Sequence, residues 1–230
     1  MRKVVFSTDG VYHIYNRGVE KRKIFLANSD YWRFMQILYE FNDVAIVTRP
    51  HRRSFMDCAR RAAAGEVRRP LVSILSFVLM PNHFHLLLQQ RTEGGVSEFM
   101  HRIGTGYTNY FNLRSKRTGR LFESTFKARA VDKDSYLQHL IRYIHLNPLS
   151  LEQKDWKVRG IVDQKRAKQY LSTYRWSSYL AYIKQGGSRF LLDHTCIREV
   201  IGDYGQSHED FVFAWTNRDY ALLNQSLAGA

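Results

Sequence analysis

The chain has 230 residues, and its 35 lysines and arginines outnumber 21 aspartates and glutamates, which gives a formal net charge of +14. This excess predicts a polyanionic partner. Hydrophobic residues make up 44% of the chain and aromatic residues 14%, which is enough for a core and excludes a disordered or collagen-like chain. The length suits one domain with an extension. We expect a main domain over residues 1–150 and a basic, mainly helical extension over residues 151–230.

The sequence predicts neither a membrane segment nor an export signal. The longest apolar run, from Ile74 to Met80, is far shorter than the ~20 residues that span a bilayer. The basic first residues are not followed by the apolar core of a signal peptide. Cys58 and Cys196 lie far apart and outside any CxxC motif, so we expect no disulfide framework and no thiolate zinc site. These features together favour the cytoplasm.

Hydrophobic patterning predicts seven elements in the first 150 residues. They are a strand over 11–17, a helix over 30–41, a hairpin of two strands over 71–80 and 83–89, a helix over 97–114, a strand over 126–131 and a helix over 135–147. A basic connecting insertion lies near 43–70. This order indicates an α+β, ferredoxin-like (RRM-like) sandwich, with a four-stranded antiparallel sheet and helices on one face. After residue 150 we expect a short helix near Trp176–Tyr179 and further helix, interrupted at Gly186-Gly187, up to Leu227.

The first candidate functional motif is His83-Phe84-His85 at the start of the second hairpin strand. Alternate side chains of a strand point to one face, so the two imidazoles lie side by side and Phe84 points to the other face. That spacing suits a shared metal ion. Two histidines that face solvent or form core hydrogen bonds would show the same spacing.

The second motif combines Tyr143 and Asn147, which are four residues apart on one face of the last helix. An amide oxygen can ligate a hard cation such as Mg²⁺ or Mn²⁺, and a phenol can attack phosphorus. Both residues could also belong to the core. His139, one turn earlier, either joins this site or lies on the helix surface. Tyr107 and Tyr110 are alternative nucleophiles, although no amide follows either of them four residues later.

These motifs together resemble the single-tyrosine HUH transposases, in particular the REP-associated tyrosine transposases and IS200-like transposases. The similar stretches are Tyr12–Gly18, Met80–Leu88, Gly119–Phe122 with Phe126-Lys127, and Arg142–Pro148, with a weaker similarity at Trp176–Tyr179. The resemblance implies that Tyr143 is the nucleophile and that His83, His85 and Asn147 are the metal ligands. It implies metal-dependent nicking and joining of single-stranded or hairpin DNA through a 5′-phosphotyrosine, with Mg²⁺ or Mn²⁺ as the cofactor.

Basic and aromatic residues alternate between the second and third predicted helices, as is typical of surfaces that bind single-stranded nucleic acid. The segments 49–69 and 154–168 could extend this surface, and the charges could equally form a solvated face. The predicted DNA-binding residues are Arg17, Arg114, Lys116, Arg117, Arg120, Lys127 and Arg129.

Two other functions compete with a transposase. A non-catalytic regulatory protein that binds hairpin DNA or RNA would keep the fold without the chemistry, and a replication initiator or relaxase would use the same chemistry for another task. The set of Tyr143, His83, His85 and Asn147 argues against the first alternative, and the absence of a third histidine argues against the second. The sequence leaves open whether the protein is a monomer or a homodimer.

Overall fold

The computed structural model describes residues 4–45, 54–183, 187–201 and 207–214. Arg49, Arg52 and Arg53 of the predicted basic insertion lie outside these ranges, as does the predicted helical sequence over 215–227. Within the described ranges, no helix is both long enough and apolar enough to cross a membrane.

One four-stranded sheet organises the molecule. Its strands are β1 (Val11–Arg17), β2 (Val72–Met80), β3 (His83–Gln90) and β4 (Lys127–Ala130), in the spatial order β2-β3-β1-β4. Each pair of neighbours is antiparallel. The predicted fold class, an α+β ferredoxin-like sandwich with an antiparallel sheet, is therefore confirmed.

Nine helices accompany the sheet in the described part of the chain. Four of them lie before residue 147: α1 (Asn28–Glu40), α2 (Phe55–Ala63), α3 (Gly95–Arg114) and α4 (Asp134–Leu146). A 3₁₀ turn, Asn147–Leu151, continues α4. Five shorter helices follow: α5 (Trp156–Arg159), α6 (Gln164–Thr173), α7 (Tyr179–Tyr182), α8 (His194–Ile201) and α9 (His208–Phe213).

Helices cover both faces of the sheet. On the first face, the ring of Phe84 lies 5.1 Å from Phe34 of α1, and Phe34 lies 4.9 Å from Tyr107 of α3. On the second face, the ring of His85 lies 5.4 Å from that of Tyr143 of α4. The expectation of helices on one face alone is therefore too narrow. It holds for α1 and α3, but the apolar side of α4 is buried on the opposite face, where the alternate residues of β3 point.

The chain after residue 150 protects the edge of the sheet at β2. The amide of Leu79 donates to the carbonyl of Trp176 over 2.8 Å, and the amide of Ser178 donates to the carbonyl of Phe77 over 2.9 Å. These bonds occupy backbone groups that an edge strand otherwise exposes. They also explain how the Trp176–Tyr179 stretch contributes to the fold. The division into two domains at residue 150 remains a prediction.

Residues 54–64 correct the expectation of an irregular basic connection. Ser54 caps α2 by accepting a hydrogen bond from the amide of Asp57, whose carboxylate accepts one from the amide of Ser54 in return. This capping box starts a helix that buries Phe55 and Cys58 and exposes Arg60, while the half-buried Arg61 pairs with Glu66. The high arginine content masks this motif in the sequence, because a run of charged residues is also typical of a solvated loop.

Candidate active site

The two histidines of β3 lie next to each other on the second face of the sheet. The rings of His83 and His85 are 5.1 Å apart, and Phe84 packs on the first face, as predicted. Nδ1 of His83 lies 2.7 Å from the side-chain oxygen of Asn82 in the hairpin turn. The alternation of the strand thus brings both imidazoles to one surface, where His85 is buried and His83 is half-buried.

Strand β1 adds a third imidazole to this surface. In the antiparallel register Tyr15 pairs with His85 and Arg17 pairs with His83, so the odd-numbered residues of β1 share the face of the two histidines. Nε2 of the buried His13 lies 2.8 Å from Nδ1 of His85. Nδ1 of His13 is also buried, and it has no hydrogen-bond partner among the described residues.

Helix α4 brings the phenol and the amide of the second motif to the same surface. Asn147 keeps helical backbone angles at the end of α4, so its side chain lies one turn beyond Tyr143 on one side of the helix. Both side chains are buried. Nζ of Lys157 lies 3.4 Å from the hydroxyl oxygen of Tyr143 and 4.7 Å from the centre of its ring.

These side chains line one cavity of about 530 Å³ between the sheet, α4 and the chain that follows it. Arg17, Lys127, Lys154 and Lys157 make its wall cationic, and Glu123 is the acidic residue on it. The complete lining comprises His13, Tyr15, Asn16, Arg17, His83, His85, Glu123, Lys127, Tyr143, Asn147, Ser150, Lys154 and Lys157.

Burial and the positive surroundings keep the imidazoles neutral. Burial, reinforced by Arg17 and Lys157, lowers the pKa of His83 to about 4, although the hydrogen bond with Asn147 acts in the opposite direction. Burial and the neighbouring His13 and His83 hold the pKa of His85 well below its usual value. At neutral pH both rings therefore keep a lone pair, which is the form that binds a metal ion.

The pKa of the candidate nucleophile is shifted in the other direction. Burial raises the pKa of the Tyr143 hydroxyl, while a hydrogen bond with Asn147 and the charge of Arg17 lower it. The phenol is thus protonated at neutral pH, and any attack by its oxygen requires a nearby group that favours the negative charge.

The donor set fits a divalent cation held by two imidazoles and one amide. The described residues contain no group of three His, Cys, Asp or Glu side chains that could hold a metal ion, so the third protein ligand would be Asn147. Its buried Nδ2 forms no hydrogen bond of normal length and angle among the described residues, so its interactions with His83 and Tyr143 are weak and the amide can turn its oxygen towards a ligand. A neutral amide and the absence of thiolates suit a harder ion than a thiolate site does.

The structure brings two of the seven predicted DNA-binding residues into the cavity, Arg17 and Lys127. Arg129 lies two residues after Lys127 on β4, beside the ring of Tyr136. The other four lie near the end of α3 and in the loop that follows it. Arg114 is exposed but pairs with the buried carboxylate of Asp30, and the half-buried Arg117 donates to the side chain of Asn112 and to a backbone carbonyl. Lys116 and Arg120 are exposed.

The alternative tyrosines lie outside the cavity. The hydroxyl of the fully buried Tyr107 donates to the carbonyl of Ile24 over 2.6 Å, and that of Tyr110 donates to Asp30 over 3.0 Å. Both serve the packing of α1 against α3. His139, one turn before Tyr143, is half-buried and is not part of the cavity lining.

Sequence reasoning assigned no role to five residues of the cavity lining, and it included Lys154 and Lys157 only within a basic segment that could extend the DNA-binding surface. The five residues are His13, Tyr15, Asn16, Glu123 and Ser150. The position of His13 could have been found from the alternation of β1, which places it on the same face as Tyr15 and Arg17. No local pattern points to Lys157, because its approach to Tyr143 depends on the path of the chain after α4.

Comparison with known proteins agrees with the arrangement described above. Residues 58–147 match the model of the family described as IS200-like transposases. The matched segment contains His83, His85 and Tyr143 and ends at Asn147. The match covers less than half of the chain, and it shows that residues 58–147 are similar to this family, in agreement with the resemblance of the sequence motifs.

One solved structure that resembles this chain is that of a REP-associated tyrosine transposase bound to a REP hairpin. The two are 11% identical, the TM-score is 0.47, and the match covers 90% of this chain and 96% of the other. A comparison with curated proteins gives no significant match.

Proposed function

We propose that this protein is a metal-dependent, single-stranded DNA endonuclease and strand transferase, that is, a transposase acting on hairpin DNA through a 5′-phosphotyrosine. One observation carries this proposal. Tyr143, His83, His85 and Asn147 come from two segments some 60 residues apart in sequence, yet they line one cationic cavity. A protein that only binds DNA has no need for this combination of a phenol, two neutral imidazoles and an amide.

In the proposed reaction the oxygen of Tyr143 attacks the scissile phosphorus. The new bond joins this oxygen to the 5′-phosphate, and the bond from phosphorus to the 3′ oxygen breaks. The phosphodiester energy is kept in the protein–DNA link, so a 3′-hydroxyl of another strand can reverse the step and join the DNA. The buried wall of α4 holds the phenol in place, which favours in-line attack.

His83, His85 and Asn147 would hold Mg²⁺ or Mn²⁺. When bound, such an ion withdraws charge from a non-bridging phosphate oxygen and orients the phosphorus. The two imidazoles are neutral for the reasons given above, and His13 hydrogen bonds to His85 behind the site. These residues therefore act by binding and orientation rather than by proton transfer.

Arg17 and Lys127 would hold the phosphates of a single strand that enters the cavity. Both are exposed and carry their charge on the wall near the histidines. The ring of Tyr15, 6.0 Å from Nζ of Lys127, offers an aromatic surface beside this charge. Cations next to an aromatic ring suit an unpaired base and its phosphate, as expected at the foot of a hairpin.

The test uses end-labelled single-stranded hairpin DNA taken from the flanks of the protein's own gene, with Mg²⁺ or Mn²⁺. We expect a covalent protein–DNA adduct on a denaturing gel, carrying the strand 3′ of the nick. The adduct should disappear with EDTA and in Tyr143→Phe, which removes only the hydroxyl. Tyr110→Phe is the matched control, because it removes a phenol that bonds to Asp30 outside the cavity.

The non-catalytic alternative makes a different prediction for the same experiment. A regulatory protein would retard the hairpin on a native gel in a salt-dependent way, with no adduct in either metal. That result, or equal adduct formation by wild type and Tyr143→Phe, would overturn the proposed function.

A further inference from the structure

Lys157 contacts the side chain of Tyr143, whose hydroxyl oxygen is the reacting atom of the proposed site. Its Nζ donates towards the hydroxyl oxygen of Tyr143 over 3.4 Å and lies 4.7 Å from the centre of the same ring. Its charge also reaches His83 and His85. Lys157 follows the segment matched by the family comparison, which ends at Asn147.

The fold around α5 fixes the position of this lysine. The neighbouring Trp156 is almost fully buried, and its indole N–H donates to the hydroxyl of Ser150 over 2.9 Å. The side chain of Gln153 donates to the carbonyl of Gly160 over 2.7 Å, which closes the loop around α5. Because Trp156 is anchored on the core side, Lys157 is held at the wall of the cavity rather than in solvent.

We propose that Lys157 is a catalytic residue whose ammonium group holds the oxygen of Tyr143 and stabilises its negative charge during attack and departure. The inference rests on the proposed function. A phenol in this buried position loses the stabilisation that water would give to a phenolate. A cation fixed within hydrogen-bonding reach replaces that stabilisation where the charge develops.

The proposed step balances without any further reactant. During cleavage the bond from Tyr143 to phosphorus forms and the bond from phosphorus to the 3′ oxygen breaks. The phenol releases its proton to solvent, and the departing 3′ oxygen takes one up from solvent. During joining the same changes run backwards, and Lys157 stabilises the phenolate as it leaves. The lysine keeps its proton throughout and acts by charge.

A simpler role for Lys157 would be contact with a DNA phosphate. That role changes how tightly DNA binds but not how fast bound DNA reacts. The two roles are therefore separated by single-turnover rates at saturating DNA, measured for both cleavage and joining. A second experiment separates the roles through the phenol itself. Fluorine atoms on the ring withdraw electron density and stabilise the phenolate, which reduces the need for an external cation.

The experiment compares wild type, Lys157→Met, Lys157→Arg and, as a control, Lys133→Met at an exposed position just before α4. We expect Lys157→Met to slow both steps about 100-fold at saturating DNA, as the loss of one donor to a developing oxyanion does. Lys157→Arg should retain most of the rate, and Lys133→Met should match wild type. Tyr143→3,5-difluorotyrosine should speed Lys157→Met about tenfold or more while changing the wild-type rate much less.

Each outcome bears on one of the two proposals. If wild type forms no adduct, the proposed function fails and the role of Lys157 falls with it. If wild type forms the adduct but Lys157→Met reacts equally fast at saturating DNA, only the role of Lys157 is overturned. A slow Lys157→Met that gains no more from the fluorinated tyrosine than wild type does would also overturn it, because the defect would then lie in the structure of the site.

Discussion

His13 offers a sharp test of how the metal site is built. Its Nε2 lies 2.8 Å from Nδ1 of His85, and both rings are buried. One of the two imidazoles must donate the hydrogen between them. For Nε2 of His85 to offer its lone pair to a cation, the proton of His85 must be on Nδ1 and point at His13. We therefore expect His13 to select the tautomer of His85 that binds the ion.

The magnitude follows from what His13→Ala leaves behind. Nδ1–H of His85, which is 7% exposed, loses its partner, and an unsatisfied buried donor costs about 1–3 kcal/mol. The loss of a hydrogen-bond partner behind a metal ligand lowers metal affinity about 10- to 100-fold, or about 1.4–2.7 kcal/mol. The two figures agree. His13→Gln should lose less, because its amide oxygen can accept the same hydrogen bond.

The assay is the Mn²⁺ affinity of each purified variant by calorimetry, together with the Mn²⁺ concentration that gives half-maximal nicking. The Kd for Mn²⁺ and the half-maximal Mn²⁺ concentration should both rise about 10- to 100-fold in His13→Ala and less in His13→Gln. Nicking at saturating Mn²⁺ should recover much of the lost rate. A folded His13→Ala variant with the Mn²⁺ affinity of wild type would refute this reasoning.

Three further predictions concern stability and DNA binding. Burial lowers the pKa of His208 to about 3, so below pH 6.5 the unfolded chain binds a proton that the folded chain does not. The free energy of unfolding should therefore fall by up to about 1.4 kcal/mol for each pH unit below 6.5. Urea titrations of His208→Gln should show a weaker dependence of this free energy on pH. A Cβ on Gly18 would lie 2.4 Å from a backbone carbonyl oxygen, so Gly18→Ala should lower the free energy of unfolding by about 1–3 kcal/mol. A Cβ on Gly104 of α3 would meet open space, so Gly104→Ala should raise the free energy of unfolding by up to about 1 kcal/mol. Equal urea midpoints for the two variants would contradict the packing described. Lys127→Gln should reduce the slope of log affinity for single-stranded DNA against log salt by about 0.7, and an unchanged slope would remove this residue from the interface.

The sheet and the helices that carry the two motifs could be predicted from the sequence because their signals are local. Strands β2 and β3 are apolar runs separated by Pro81-Asn82, and the alternation in β3 is enough to place His83 and His85 together. Helical spacing likewise places Tyr143 one turn from Asn147. These positions depend on periodicity alone.

The rest of the site could not be predicted because it depends on contacts between distant segments. The cationic residues near the end of α3 have the sequence pattern of a DNA surface, yet Arg114 compensates the buried carboxylate of Asp30. That carboxylate also accepts hydrogen bonds from two backbone amides just before α1. Lys157 reaches Tyr143 only because Trp156 is buried. In both cases tertiary packing determines which residue the cationic side chain contacts, and the spacing of residues in the sequence does not predict that contact.

The electrostatics of the cavity explain how a site without a carboxylate ligand could serve a nuclease. Arg17 and Lys157 help to lower the pKa of His83, so its lone pair stays available, but the same charges repel a divalent ion. A DNA phosphate in the cavity would offset that repulsion and supply the anionic oxygen that His83, His85 and Asn147 lack. In the proposed function, metal and DNA therefore bind more tightly together than apart, and this coupling is equal in both directions. The site then favours the ion when a strand is present to be cut.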